Sequence, residues 1–177
     1  MKRILIIGSA GAGKSTLSRQ LSARLNLPVV HLDRYYWKPG WAPTPNEEWD
    51  RFVIEAANED QWIMDGNYTR TLDLRLRRAD TVIFLDLSRW LCLYRIVKRR
   101  IQYHGKTRPD LNDECPEKLD WAFISWVWNY KKRSRDRVME QLRSFGEQKN
   151  IIIVKSRKQV KEITNQLEET KEIKNER

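Results

Sequence analysis

Cysteine and histidine are both scarce here, two of each in 177 residues. Cys92 and Cys115 lie far apart with no C-x-x-C spacing, and His31 and His104 complete no zinc pattern. Neither a disulfide scaffold nor a metal cluster therefore organises the chain, and a reduced, cytoplasmic protein is the expectation. Long apolar runs are missing too: none approaches the ~18 residues of a membrane span. A first strand beginning at residue 2 leaves no place for a secretory leader, so no membrane partner is expected. There are no repeats and no low-complexity segment. One domain spanning 1–177, with a sizeable core, is the simplest organisation.

Charge, by contrast, is plentiful and one-sided. The net charge is +10. Between Arg89 and Arg137 thirteen Lys/Arg face six Asp/Glu. Such a surplus suits nucleic acid, and it equally suits a cleft built to hold several phosphates.

The chain is organised around residues 2–16, KRILIIGSAGAGKST. Ile4 to Ile7 form a short, β-branched apolar run that reads as a buried strand. Gly8, Ser9, Ala10, Gly11, Ala12, Gly13, Lys14 and Ser15 then fit G-x-x-x-x-G-K-[ST], and Thr16 leads into Leu17, Leu21 and Leu25 at helical spacing. Strand, glycine turn and helix are the context this motif requires. Glycines take positive φ and leave room for phosphate, so successive N–H groups form an anion nest at a helix N-terminus. Lys14 would reach the β- and γ-phosphates, and the Ser15 hydroxyl would ligate Mg²⁺.

Val29 to Asp33 reads as a second strand that delivers Asp33 at its C-terminal end, where ligands bind in open α/β sheets. Asp33 either faces a ligand or caps the next turn. Tyr35 to Pro43 packs four aromatics, two prolines and a glycine into nine residues. It is expected to be neither strand nor helix: an ordered loop, or a platform on which a base or sugar stacks. Thr44, Pro45 and Glu47 predict a capping box, with Trp49, Phe52, Val53 and Ala56 on the helix's apolar face. Trp62 to Asp65 is a third strand ending in an acid, which a Mg²⁺–water network beside a phosphate loop needs. Gly66, Asn67 and Tyr68 follow. Among Arg70, Arg75, Arg77 and Arg78, most are expected to be solvated and one or two to hold an acceptor phosphate.

Asp80 to Asp86 is the fourth strand. A helix from Ser88 to about Tyr103 is expected to turn Leu91, Tyr94, Val97 and Ile101 inward. Residues 104–119 have no periodicity and read as an ordinary loop or as a lid. A long helix from Asp120 to about Phe145 is predicted to bury Trp121, Ile124, Trp128, Val138, Leu142 and Phe145. Lys131 and Arg135 fall on that stripe, so each needs an anionic partner: a core carboxylate or a bound phosphate. Ile151 to Val154 is the fifth strand. Ser156 is expected to cap a last helix carrying Val160, Ile163 and Leu167, which frays into the tail 168–177. Strands alternating with helices predict an α/β fold with a mostly parallel sheet.

With these motifs in view, the chain resembles the nucleoside monophosphate kinases, adenylate kinase in particular. The resemblance covers nearly the whole chain. His31-Leu32-Asp33 with Trp37-Lys38-Pro39-Gly40-Trp41, and Trp62 to Tyr68, resemble a subgroup known as DNA topology modulation or FlaR-like proteins. The resemblance implies a P-loop NTPase three-layer fold with sheet order 2-3-1-4-5, an acceptor-binding segment at about 34–61 and a lid at about 104–119. It implies ATP and Mg²⁺ as cofactors, with Gly8 and Ala10 to Thr16 around the nucleotide. Asp65 would hold a Mg²⁺-bound water, Arg95 would stack on adenine, and Arg157 lies where the loop after the fifth strand packs on that base. Arg99 would touch the transferring phosphate, and Arg135, with Arg133, resembles the post-lid arginines that neutralise transition-state charge. The acceptor would meet Asp33, Tyr36, Trp37, Asp65, Gly66, Asn67 and Arg75. Asn67-Tyr68 replaces the usual residues after the DG turn, so AMP is not the implied acceptor.

The expected activity is transfer of the γ-phosphoryl of Mg-ATP to a small hydroxyl- or phosphate-bearing acceptor. Lys14, Arg99 and Arg135 supply charge, and Asp33 takes a proton if the acceptor is an alcohol. A monomer or homodimer with at most weak, non-specific affinity for nucleic acid fits this reading. The competing one is an ATP-binding regulator that binds DNA, although no helix-turn-helix or zinc-finger pattern is present.

Overall fold

A computed structural model describes residues 1–106, 108–146 and 149–165. Five strands, β1 (Arg3–Gly8), β2 (Val29–His31), β5 (Trp62–Asp65), β6 (Thr81–Leu85) and β7 (Asn150–Val154), form one sheet in the order β2-β5-β1-β6-β7. Every pairing is parallel, with Ile4 opposite both Ile63 and Thr81. This is the predicted order. A small antiparallel hairpin, β3 (Trp37–Lys38) and β4 (Ala42–Pro43), stands apart.

The three layers follow from the period of a strand. Successive side chains alternate faces, so a strand apolar throughout is buried on both. Leu5, Ile7, Met64 and Phe84 pack on one side against Trp49 and Val53 of α3 (Asn46–Asn58) and Leu72 and Leu76 of α4 (Leu72–Arg78). Ile4, Ile6, Ile63 and Ile83 pack on the other against Leu17 and Leu21 of α1 (Lys14–Leu25) and Cys92 and Ile96 of α5 (Arg89–Gln102). All the parallel strands thus end at one edge, where the phosphate loop, Asp33, Asp65 and Asp86 collect.

Several expectations change. Residues 35–43 are not devoid of regular structure: a short helix α2 (Leu32–Tyr36) leads into the hairpin. Asp33 therefore sits in the first turn of α2 rather than at the end of a strand. The capping box does not form, because the Thr44 hydroxyl donates backward to the Tyr35 and Tyr36 carbonyls at 2.9 Å and ties the hairpin instead. Pro45 becomes the helix N-cap.

Helix α5 is rotated from its expected face. Cys92 and Ile96 are buried, whereas Trp90, Tyr94, Val97 and Ile101 are exposed, Ile101 by 74%. From Trp90 to Val97 only Arg95 is charged, so periodicity alone did not fix its inner face. The single long helix of 120–145 is three pieces: α6 (Trp121–Trp128), a π-helical stretch Lys131–Arg135, and α7 (Asp136–Ser144). Trp121 is 83% exposed, while Val127, Tyr130, Val138 and Leu142 are buried. A last helix, α8, covers 157–165. Leu167 and the tail 168–177 lie outside the described residues. Among the described residues no helix is long and apolar enough to cross a membrane.

Candidate active site

The phosphate loop runs from the end of β1 into α1. Its first glycine has φ +148°, and a Cβ there would meet the Leu85 carbonyl oxygen at 2.7 Å. Gly13, at φ +100°, forms the N-cap of α1. Both positions require glycine. The Gly8 N–H donates to Asn67 Oδ1 at 2.9 Å, which anchors the loop to the turn after β5. Lys14 curls over the loop and donates to the Gly8 and Ser9 carbonyls at 2.9 and 3.1 Å. Burial lowers the Lys14 pKa, and the charges of Asp33 and Asp65 partly offset it, Asp33 the more. Asp33 and the loop lysine thus border one cleft within electrostatic reach of each other.

Asp65 is buried beneath Ser15. It accepts from the Ser18 hydroxyl, lies 3.4 Å from Ser15 Oγ, and pairs with His31 Nδ1 at 2.6 Å. Burial disfavours the imidazolium, but the hydrogen bond and charge of Asp65 outweigh it and raise the His31 pKa. A hydroxyl and a carboxylate set side by side at a helix N-terminus are hard oxygen donors that fit Mg²⁺ through Ser15 and, via water, Asp65.

A cleft of about 1540 Å³ opens over the loop. Lys14, Ser15, Thr16, Asp33, Trp37, Asn67, Arg95, Arg99 and Arg157 border it, as do Ala10 to Gly13. Arg95 donates to the Ala12 carbonyl at 2.7 Å. Its pKa is lowered, first by burial and then by nearby Arg157, so those two cations share a neighbourhood. Other expected residues lie elsewhere. Tyr36 packs behind the cleft, with ring centroids 4.7 Å from Tyr68 and 4.9 Å from Trp37. Gly66 sits under the floor, where a Cβ would meet Leu32 Cβ at 2.9 Å.

Two arginines are corrected. Arg75 is fully buried and donates to the Gly66, Asn67 and Tyr68 carbonyls at 2.8–2.9 Å. Burial pulls its pKa down to about 9, still high enough to keep the charge at neutrality. It locks the turn 66–68, in which Tyr68 takes the strained φ of +22°, and has no donor directed at an acceptor. Arg135 grips Asp86 through both Nε and Nη2, at 2.8–3.0 Å, and does not border the cleft. Arg133 does, stacked at 4.3 Å over the ring of Trp126.

Arg99 is not free in the cleft either. Glu117, buried in residues 104–119, takes Arg99 Nε at 2.7 Å and lies 2.7 Å from Arg108 Nε. Arg108 also donates to Asp110 at 3.0 Å. Burial works against the Asp110 carboxylate, but Arg108 and a bond from Ser15 outweigh it and lower its pKa. The segment is also tied to the hairpin. Gly40 N–H donates to the Glu114 carbonyl at 3.1 Å, Trp41 Nε1 to the Pro116 carbonyl at 3.0 Å, and Cys115 Sγ to the Lys38 carbonyl at 3.3 Å. Sequence reasoning missed Arg108, Asp110, Glu117, Trp41, Tyr68 and His31 as site residues. The first three sit in an aperiodic stretch where charges look solvated, and only their three-dimensional meeting distinguishes them.

No protein-family model matches the chain. The uncharacterized protein YqaC of Bacillus subtilis (strain 168) is 32% identical over 141 residues, 76% of this chain and 78% of YqaC. A shikimate kinase of Leptospira biflexa serovar Patoc is 30% identical over 139 residues, 63% of this chain and 73% of that enzyme. Among solved structures, shikimate kinase from Acinetobacter baumannii in complex with shikimate gives a TM-score of 0.61 at 15% identity, covering 94% of this chain and 90% of that one. A gluconokinase from Sinorhizobium meliloti 1021 gives 0.52 at 15% identity, covering 94% and 89%. At such identities the structural likeness establishes the fold.

Proposed function

We propose, for a chain that belongs to the family of P-loop small-molecule kinases that includes shikimate kinase, and is an ATP-dependent phosphotransferase, that the γ-phosphoryl of Mg-ATP passes to a hydroxyl group held at Asp33. One observation carries this reading. Asp33 and Lys14, the residue expected at the β- and γ-phosphates, border the same cleft, close enough for the carboxylate's charge to act on the lysine. An acceptor oxygen between them has a carboxylate to receive its proton and a phosphorus within reach. Oxygen attacks the γ-phosphorus, the bond to the bridging β-oxygen breaks, the proton moves to Asp33, and ADP leaves.

Lys14 and Arg99 would offset charge on the phosphoryl group as it transfers, and Arg95 with Arg157 would hold the nucleotide's far end. Mg²⁺, held by Ser15 and through water by Asp65, would neutralise phosphate oxygens. Arg135 acts through Asp86 at the end of β6, which makes it a positioning residue. The basic surplus fits this assignment, since Arg95, Lys98, Arg99, Arg133 and Arg157 all border one cleft. A phosphate cleft explains them without DNA.

The test is product detection by phosphorus NMR, with ATP, Mg²⁺ and a panel of alcohols and nucleoside monophosphates. Shikimate, the ligand of a structural neighbour, belongs on the panel. Asp33→Asn should cut turnover by about a hundredfold or more while ATP binding stays intact. Efficient transfer to a nucleoside monophosphate that is indifferent to Asp33→Asn overturns the proposal.

A further inference from the structure

We infer that the acceptor is an uncharged, ring-bearing alcohol, a sugar or a nucleoside, rather than a cyclic acid or a phosphate ester. This rests on the reading of Asp33 as the acceptor's base. The argument is one of which charges are already committed. Asp33, Asp110 and Glu117 all border the cleft, with Asp65 buried below. Three of the arginines nearest this wall are already committed. Arg75 serves four backbone carbonyls, Arg70 is bidentate to Asp50, and Arg108 is shared between Asp110 and Glu117. Arg99 is already engaged with Glu117. A carboxylate or phosphate brought beside Asp33 meets like charge in a partly desolvated wall, which is unfavourable.

What the wall offers instead is ring surface and hydrogen-bonding groups. Trp37 and Trp41 both border the cleft, their centroids 5.5 Å apart and nearly edge to face. Trp41 is held by its Nε1 bond to Pro116, in a left-handed backbone conformation at φ +66°. The rings continue through Tyr36 to Tyr68, whose hydroxyl donates to Asp33 at 2.7 Å. An indole pair next to an oriented carboxylate accepts the apolar face of a ring on one side and a hydroxyl on the other. Uncharged cyclic polyols carry both.

Arg19 and Lys118 border the cleft with no carboxylate partner among the described residues, and Lys118 stands 5.8 Å over the Trp41 ring. An acid acceptor would have to rely on them, which gives the experiment its opposing arm. Phosphoryl transfer from ATP is measured with matched sets: free monosaccharides, nucleosides, cyclic hydroxy acids including shikimate, and nucleoside monophosphates. The highest kcat/KM is expected in one of the first two sets, and which of the two identifies the ring. Trp37→Leu and Trp41→Leu should each raise the acceptor KM about tenfold or more, with kcat within about threefold and ATP affinity unchanged. Trp41→Phe keeps a ring but loses the bond to Pro116, and should restore most of the KM. If Trp41 only holds the lid, Phe and Leu behave alike and the inference fails. It fails equally if an acid or monophosphate is the best acceptor, with an advantage that disappears in Arg19→Gln or Lys118→Met. ATP binding without transfer to any alcohol defeats the underlying reading of Asp33, a result distinct from transfer to an acid.

Discussion

The Tyr68 hydroxyl and Asp33 Oδ1 are joined by a 2.7 Å hydrogen bond across 35 residues of sequence. Burial, together with the charge and bond of Asp33, raises the Tyr68 pKa far enough that the phenol is always a donor. Asp33 is therefore held in one orientation by a group that cannot compete for the proton. Tyr68→Phe should cost about 1 kcal/mol of stability, the net worth of one such bond. It should lower kcat about tenfold with little change in ATP affinity, because a mobile carboxylate is a poorer base. Steady-state kinetics and a denaturant curve check both.

Lys14→Ala should cut the rate by a hundredfold or more, about 3 kcal/mol of transition-state stabilisation. Its two bonds to loop carbonyls are minor for folding, so the thermal midpoint should move little. Calorimetry on the wild type, which should show Mg-ATP binding, provides the control.

Arg135 and Asp86 make a different kind of pair. Asp86 is nearly buried and Arg135 about a quarter exposed. Removing the cation leaves a carboxylate without its partner at the end of β6, so Arg135→Ala should destabilise by about 2 kcal/mol. Arg135→Leu combined with Asp86→Leu should recover much of that stability. If Arg135 acts directly on phosphate, the double variant stays inactive at full stability.

The carboxylate of Glu117 holds Arg99 of α5 to Arg108 of the 104–119 segment. Glu117→Gln leaves two guanidinium groups facing each other around a neutral amide. Amide exchange across 104–119 should accelerate about tenfold or more without nucleotide. A non-hydrolysable ATP analogue should slow it again, because phosphate supplies the missing charge. Exchange unchanged in the variant shows that the segment is held by the hairpin alone.

His31 gives a pH signature. Its pKa is raised in the folded state from the ordinary 6.5 by Asp65, against burial. The stabilisation is therefore complete below the unfolded value and is lost as pH rises through the folded one. His31→Gln should destabilise the metal-free protein more at about pH 5.5 than at about pH 9. Denaturant midpoints at the two values, wild type against variant, read the difference.

The parallel strands and the phosphate loop were legible because apolar runs alternating with helical patterns and the G-x-x-x-x-G-K-[ST] spacing are local patterns, whereas the strand order came from the family resemblance. Asp65 was legible too, as the acid that ends its strand. The inward face of α5 was not, since Trp90, Leu91, Leu93, Tyr94 and Val97 surround the helix with apolar groups and leave the period ambiguous. Arg75 read as an acceptor-binding cation because nothing nearby in sequence shows that its guanidinium meets the carbonyls of the turn 66–68. Glu117, Arg108 and Asp110 were illegible for a related reason: their meaning lies in a meeting with α5 and α1 that no spacing encodes.

Gly40, Trp41 and Cys115 bind the hairpin to the 104–119 segment through main-chain carbonyls, and main-chain partners are set by where a segment runs rather than by its side chains. The two stretches, some 75 residues apart in sequence, consequently constrain each other's path more than each other's side chains. Substitutions at Lys38, Glu114 or Pro116 that keep the backbone path leave these bonds in place, whereas an insertion or deletion in either stretch moves the carbonyls and breaks the set.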